Sequence, residues 1–142
     1  MKEGGFGAGY WRSFLRNGGG LMRVYIAGAL SSKGGVRGDS STVVVKYIQN
    51  LSAMCKIASL VRRRGHSPYV PGLDLLMGLV AGDWEEGDYR GMGMGFLEVC
   101  DAVLVISDSW GVQQEIGRAD RLHIPVYFSL EDIPNEPIPR TP

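Results

Sequence analysis

Little in this sequence can hold a metal ion or a covalent cross-link. It has two cysteines, Cys55 and Cys100, and two histidines, His66 and His123, in 142 residues. Each cysteine lies within an apolar stretch, and two are too few for a disulfide framework, so both are read as reduced and buried. The four stand at no metal-ligand spacing, and no metal site is expected. An excess of charge of one sign is also missing: Lys+Arg and Asp+Glu number 15 each. A neutral chain is a poor candidate for binding nucleic acid through bulk charge, although a local anion site stays open. No apolar run approaches a membrane span. The first twenty residues hold no continuous apolar segment, so no secretory signal is expected and the chain is read as cytoplasmic. Lys33-Gly34-Gly35 lacks the Gly-x-x-x-x-Gly-Lys-Ser/Thr arrangement of an ATP-binding loop, and no cofactor is expected. Asn50-Leu51-Ser52 fits the glycosylation pattern but lies inside an expected helix of a chain read as non-secreted, and is discounted.

What the chain does have is glycine, 21 residues of it, clustered where loops are expected. Its length favours one domain with a real core. Residues 1–21 are Gly-rich with scattered aromatics and no sustained period, and read as an N-terminal arm. The domain proper spans 22–133, and the Pro-rich 134–142 reads as an extended tail. "GFGAGY" in the arm has no strand before it, so it is not read as a dinucleotide site.

Arg23–Ala27 reads as a buried strand closed by Gly28, followed by a Gly/Ser/Lys loop to residue 42. Ser40 or Ser41 then caps a helix whose apolar positions Val44, Ile48, Leu51, Cys55 and Ala58 share one face. Arg62-Arg63-Arg64 and Gly65 close it, cations and glycine being usual at a helix C-terminus. Residues 67–71 form a short strand, 73–80 a helical turn or lid, and 82–88 an acidic loop. Residues 89–99 should be helical by position, but Gly91, Gly93 and Gly95 oppose this at roughly 1 kcal/mol each, predicting a distorted or late-starting helix. Residues 102–106 are the clearest central strand, 112–122 a helix, 125–128 a strand and 130–133 a final turn. Apolar strands alternating with helices predict an α/β fold, a parallel sheet covered on both faces. Ligands then bind beyond the carboxyl ends of the strands, which nominates the loops 28–41, 71–88 and 107–113.

In the third loop, Ser109, Trp110 and Gly111 form the turn before a helix. The helix N-terminus offers free N–H groups and partial positive charge, and Gly111 lets an anion approach. Ser109 reads first as a plain N-cap, and its hydroxyl is also a candidate ligand donor. Glu115 is either a first-turn acid complementing the dipole, worth ~0.3–1 kcal/mol, or a carboxylate facing a pocket. Beside a helix N-terminus its pKa is expected to be lowered, making it a ready anion. Such an anion can attack or stabilise an oxocarbenium-like sugar carbon, as in glycoside hydrolysis; C1′ of a nucleoside is a comparable centre. Tyr25 reads as core. Trp110 reads equally as a base-stacking ring or a cover for the helix end, and Trp84 with Tyr89 as a lid. Lys33 and Arg37 read as solvated loop charges able to meet a phosphate.

The segment "SWGVQQEIGRA" at 109–119 resembles the Ser-x-Gly-Val-x-x-Glu-(Leu/Ile)-Gly-Arg-Ala motif of 2′-deoxynucleoside 5′-monophosphate N-glycosidases, and more widely the nucleoside 2-deoxyribosyltransferase superfamily. "VYIAGALSSKGG" is similar to that family's first strand and Gly-Ser loop, and "CDAVLVIS" to its strand before the catalytic turn. The resemblance spans about residues 23–128. It implies a Rossmann-like three-layer sandwich on a parallel sheet of about five strands, working as a homodimer or larger homo-oligomer. It implies Glu115 as nucleophile at C1′ of a nucleotide or nucleoside, with Ser109, Trp110 and Gly111 around the phosphate or sugar, and Gly28, Ala29, Leu30, Ser31 and Ser32 walling the same pocket. The family usually carries an aspartate where this chain has Gly93; Asp88 and Asp108 are the candidates to replace it. The expected activity is hydrolysis or transfer at the N-glycosidic bond, the alternative being a nucleotide-binding protein that does not cleave.

Overall fold

The first strand of the computed structural model, β1 (Arg23–Ala27), buries every residue after Arg23. The structure describes residues 22–30 and 40–134, of which residues 40 and 41 as backbone alone; the expected arm at 1–21, most of the loop 28–42 and most of the tail lie outside these. In chain order, β1 is followed by α1 (Ser40–Arg63), β2 (Ser67–Tyr69), a 3-10 turn (Pro71–Leu73), α2 (Asp74–Ala81), α3 (Glu86–Glu98), β3 (Ala102–Val105), α4 (Trp110–Arg121), β4 (Val126–Tyr127) and a second 3-10 turn (Leu130–Asp132). The strands form one sheet in the order β2-β1-β3-β4, every pairing parallel. Four strands are found among the described residues, rather than about five.

Alternation along β1 and β3 sorts the core into two layers. Val24, Ile26, Ala102 and Leu104 pack with Met54, Ala58 and Val61 of α1. Tyr25, Ala27, Val103 and Val105 pack on the other face with Leu97 of α3 and Val112 and Ala119 of α4. Both faces are thus covered, as a parallel sheet requires, and the whole is an α/β arrangement consistent with a Rossmann-like fold. Each fully buried side chain of this kind stabilises the fold by roughly 1.5–3 kcal/mol.

Three local features depart from expectation. The expected apolar face of α1 is buried only in its later turns; Val44 and Ile48 are 59% and 54% exposed. A helix of 24 residues is about 36 Å long, whereas the five residues of β1 span about 17 Å, so the first turns overhang the sheet. The helix over the glycines starts early, at Glu86, instead of late or distorted. A capping box holds its first turn: the Asp88 carboxylate accepts from Glu85 N at 2.8 Å, and the Glu85 side chain accepts from the backbone of Asp88. Its other end is tied by the Arg118–Glu98 ion pair to α4. Tertiary contact here overrides propensity. Finally, α4 begins at Trp110, so Trp110 and Gly111 belong to its first turn.

The termini of α1 and β1 are fastened by side chains. Gly65, at φ +90°, takes the left-handed position that ends α1. His66 is buried; Met22 N donates to its Nδ1 at 3.3 Å, and its Nε2 lies 3.1 Å from the Pro134 carbonyl. These partners assign the proton to Nε2, and burial holds the ring's pKa below its ordinary value. Neither cysteine is in a disulfide; Cys100 is buried and Cys55 half-buried. Among the described residues there is no cluster able to hold a metal ion and no helix long and apolar enough to cross a membrane.

Candidate active site at the ends of the parallel strands

The chain leaves β1 in both directions: β2 lies on one side of it and β3 on the other. Crevices open beyond the carboxyl ends of strands at such a point. A cavity of about 510 Å3 lies there, walled by Gly28 after β1, Pro71 after β2, the first turns of α4, and α3 from the side. The loops after β1 and β3 touch: Ile106 N donates to the Ala27 carbonyl at 2.9 Å, and Ala29 N to Ser107 Oγ at 2.8 Å. A Cβ at residue 28 would lie 2.9 Å from Ile106 Cγ1, so this approach requires glycine.

Glu115 is carried into the cavity by the period of its helix. Val112 and Ala119 are buried against the sheet, and Glu115, three residues after one and four before the other, shares their face. Its carboxyl lines the cavity; Oε2 is sealed from solvent and has no hydrogen-bond partner. The Tyr25 hydroxyl lies beside it on the same cavity wall. Burial pushes the pKa of Glu115 up to about 7, and the bond from Tyr25 pulls against that rise. The lowered pKa expected from the helix N-terminus is therefore reversed. The cause is the burial of the carboxyl, while Val112 N is capped by Ser109 Oγ at 3.1 Å. Burial, together with the neighbouring Glu115 carboxyl, raises the pKa of Tyr25, which stays a protonated donor.

Compared with family models, curated proteins and solved structures, the chain matches none. The site therefore stands on its own geometry.

Of the residues nominated from sequence, Glu115, Gly28, Leu30, Trp110 and Gly111 line the cavity. Ser109 is the N-cap of α4. Ala29 and Ser109 flank lining residues without lining the cavity themselves, and Ser31 and Ser32 lie outside the described residues, as do Lys33 and Arg37. Neither of the two aspartates nominated to replace the family carboxylate lines the cavity. Asp88 is exposed and spent on the capping box of α3; Asp108 is exposed and accepts from Gln113 Nε2 at 2.8 Å. Gly93 does line the cavity, and a Cβ there would lie 3.3 Å from Tyr25 Oη. At this position the helix backbone stands against the tyrosine.

Several lining residues were not singled out from sequence. Tyr47, 25 residues from its partner, donates to the Gly72 carbonyl at 3.1 Å. Arg90 lies over the Trp110 ring, 4.6 Å from its centroid, and pairs with Glu86 at 2.6 Å. Glu86 is the other carboxylate lining the cavity among the described residues, and it is exposed. Tyr25, read as core, is buried and lines the cavity at once. The Glu86-x-x-x-Arg90 spacing was a legible ion-pair signal; the Arg90–Trp110 contact, formed by two helices, had none. Chemically, the arrangement offers one carboxyl poised near neutrality with a fixed phenolic donor, inside an aromatic and aliphatic enclosure. Such a group can exchange between anion and acid at ordinary pH.

Proposed function

We propose that the chain cleaves the N-glycosidic bond of a nucleoside or nucleotide, with Glu115 as the group that meets C1′. One observation carries this: Glu115 lines a cavity at the carboxyl ends of the parallel strands, with one carboxyl oxygen buried and without a hydrogen-bond partner. In the ionised form, a Glu115 oxygen bonds to C1′ as the C1′–N bond breaks, and the electron pair leaves with the base, which takes up a proton. Water then attacks C1′, the carboxylate is released, and the water's proton departs; a second base in place of water gives transfer. Tyr25 holds the attacking carboxyl by donating to it. Trp110 and Tyr89, on the cavity wall, offer faces on which a base can stack. Similarity of 109–119 to the N-glycosidase motif supports the same reading, as does the Rossmann-like arrangement of the sheet.

A second reading, binding without cleavage, is favoured by Gly93, which leaves the wall near Tyr25 without the carboxylate that would protonate a leaving base. The two separate in one assay. The protein is incubated with a panel of deoxynucleosides and deoxynucleoside monophosphates, and free base is measured. Release that disappears in Glu115→Ala is the expected result. Saturable binding with no release supports the second reading, and neither outcome with any substrate refutes the pocket assignment. The exposed apolar side chains of α2, Leu76, Met77, Leu79 and Val80, support self-association into a homodimer, which sedimentation of the purified chain tests.

A further inference from the structure

Tyr25 and Tyr69 are register partners on neighbouring parallel strands, so both rings rise from the same face of the sheet. Their centroids are 5.6 Å apart. Each tyrosine serves a different buried carboxyl. Tyr25 faces Glu115 across the cavity wall; Tyr69 donates to Asp74 Oδ2 at 2.7 Å. Asp74 is the first residue of α2 and only 7% exposed. The helix terminus favours a first-turn acid, but burying it costs free energy unless the group is bonded. Nothing in the cleavage scheme uses Asp74, which does not line the cavity, yet Pro71 and Leu75 on either side of it do. The Tyr69 ring is also stacked on Phe96 of α3, centroids 4.7 Å apart. It is therefore held at its hydroxyl by Asp74, on one face by Phe96, and it packs against Tyr25.

We propose that Asp74, acting through the Tyr69 ring, is a positioning residue that keeps the Tyr25 hydroxyl on Glu115. The inference rests on Glu115 being the functional carboxyl. Release of the Tyr69 hydroxyl lets that ring turn, which gives Tyr25 room to leave its acceptor. The same bond fastens the wall segment 71–75 to β2. The effect travels by packing: the influences on Glu115 are its burial and the Tyr25 bond, with no direct contribution from the Asp74 charge. The titratable groups around the pair are Tyr25 from β1, Tyr69 from β2, Tyr47 of α1, which feels the Asp74 charge, Cys100 after α3, which acts on both tyrosines Tyr25 and Tyr69, and Glu86, Tyr89 and Arg90 of α3 on the same cavity.

The test reads Glu115 directly, with no substrate. Glutamate-labelled full-length protein is titrated from pH 4 to 9 by carboxyl 13C NMR, with Glu115→Gln assigning the resonance. Tyr69→Phe, Asp74→Ala and Asp74→Asn are compared with the parent chain and with Tyr25→Phe. Losing the donor bond raises the Glu115 midpoint, so Tyr69→Phe and Asp74→Ala are expected to shift it upward by about half a pH unit or more, as Tyr25→Phe does. Asp74→Asn, which still accepts from Tyr69, leaves it in place. In base release the two disruptive variants lose kcat about tenfold or more with KM little changed, the mark of misplacement. An unmoved Glu115 midpoint in Tyr69→Phe, which keeps the ring and decides alone if Asp74→Ala does not fold, overturns the inference. Absence of base release from the parent chain overturns the cleavage reading instead, and leaves the titration able to decide this one.

Discussion

Replacing Glu115 with glutamine should stabilise this protein, and only above a certain pH. Gln has the same shape and still accepts from Tyr25, but it cannot ionise. In the folded chain, burial pushes the Glu115 carboxyl from an ordinary 4.5 up to about 7. Below pH 4.5 the folded and unfolded chains both carry it protonated, and its burial involves no charge. As pH rises from 4.5 to 7 the unfolded chain releases the proton first, so stability is lost across that window. Above pH 7 the folded chain must bury an anion. At ~1.4 kcal/mol per tenfold change in proton affinity, the loss amounts to about 3 kcal/mol. Glu115→Gln should thus match the parent near pH 4.5 and exceed it by up to about 3 kcal/mol at pH 8, or about 10 °C in Tm. Thermal or urea unfolding at the two pH values measures this. A Glu115→Gln variant less stable than its parent at pH 8, or equally shifted at both, would show that the carboxyl is not held in a sealed pocket.

Two further predictions concern the frame of the site. Ser109→Ala removes the cap on Val112 N and should cost about 1 kcal/mol in urea unfolding; an unchanged midpoint would mean that the cap contributes nothing. Gly78→Ala would place a Cβ against the Tyr89 hydroxyl, displacing a cavity wall and costing about 1–3 kcal/mol. A crystal structure of that variant with Tyr89 unmoved would refute the contact.

The strands were legible because they are short continuous apolar runs, "VYIA" and "AVLV", and both-face burial followed from that pattern. The helix over residues 86–98 was not, since four glycines outweigh local propensity and only packing of Gly93 and Leu97 against the sheet restores it. The spacing Glu85-x-x-Asp88 carried its own message as a capping box, which competes with a catalytic role for Asp88. At the site, Ser109 as N-cap was readable. So was the orientation of Glu115, from its spacing to Val112 and Ala119. The direction of its pKa was not: that depends on how deeply the fold buries the carboxyl. Tyr25 as its partner is a contact between residues 90 positions apart, brought together by parallel pairing of β1 with β3, and no local pattern announces it.

If the Glu115 carboxyl, ionising near neutrality, does the chemistry at C1′, the rate of base release must follow its charge. Base release from the best deoxynucleoside or deoxynucleotide of the panel, measured as kcat from pH 5 to 9, tests it most directly. The rate should climb as Glu115 ionises, with a midpoint near 7, and vanish in Glu115→Gln. A rate indifferent to pH across that range, or retained by the glutamine variant, would contradict it.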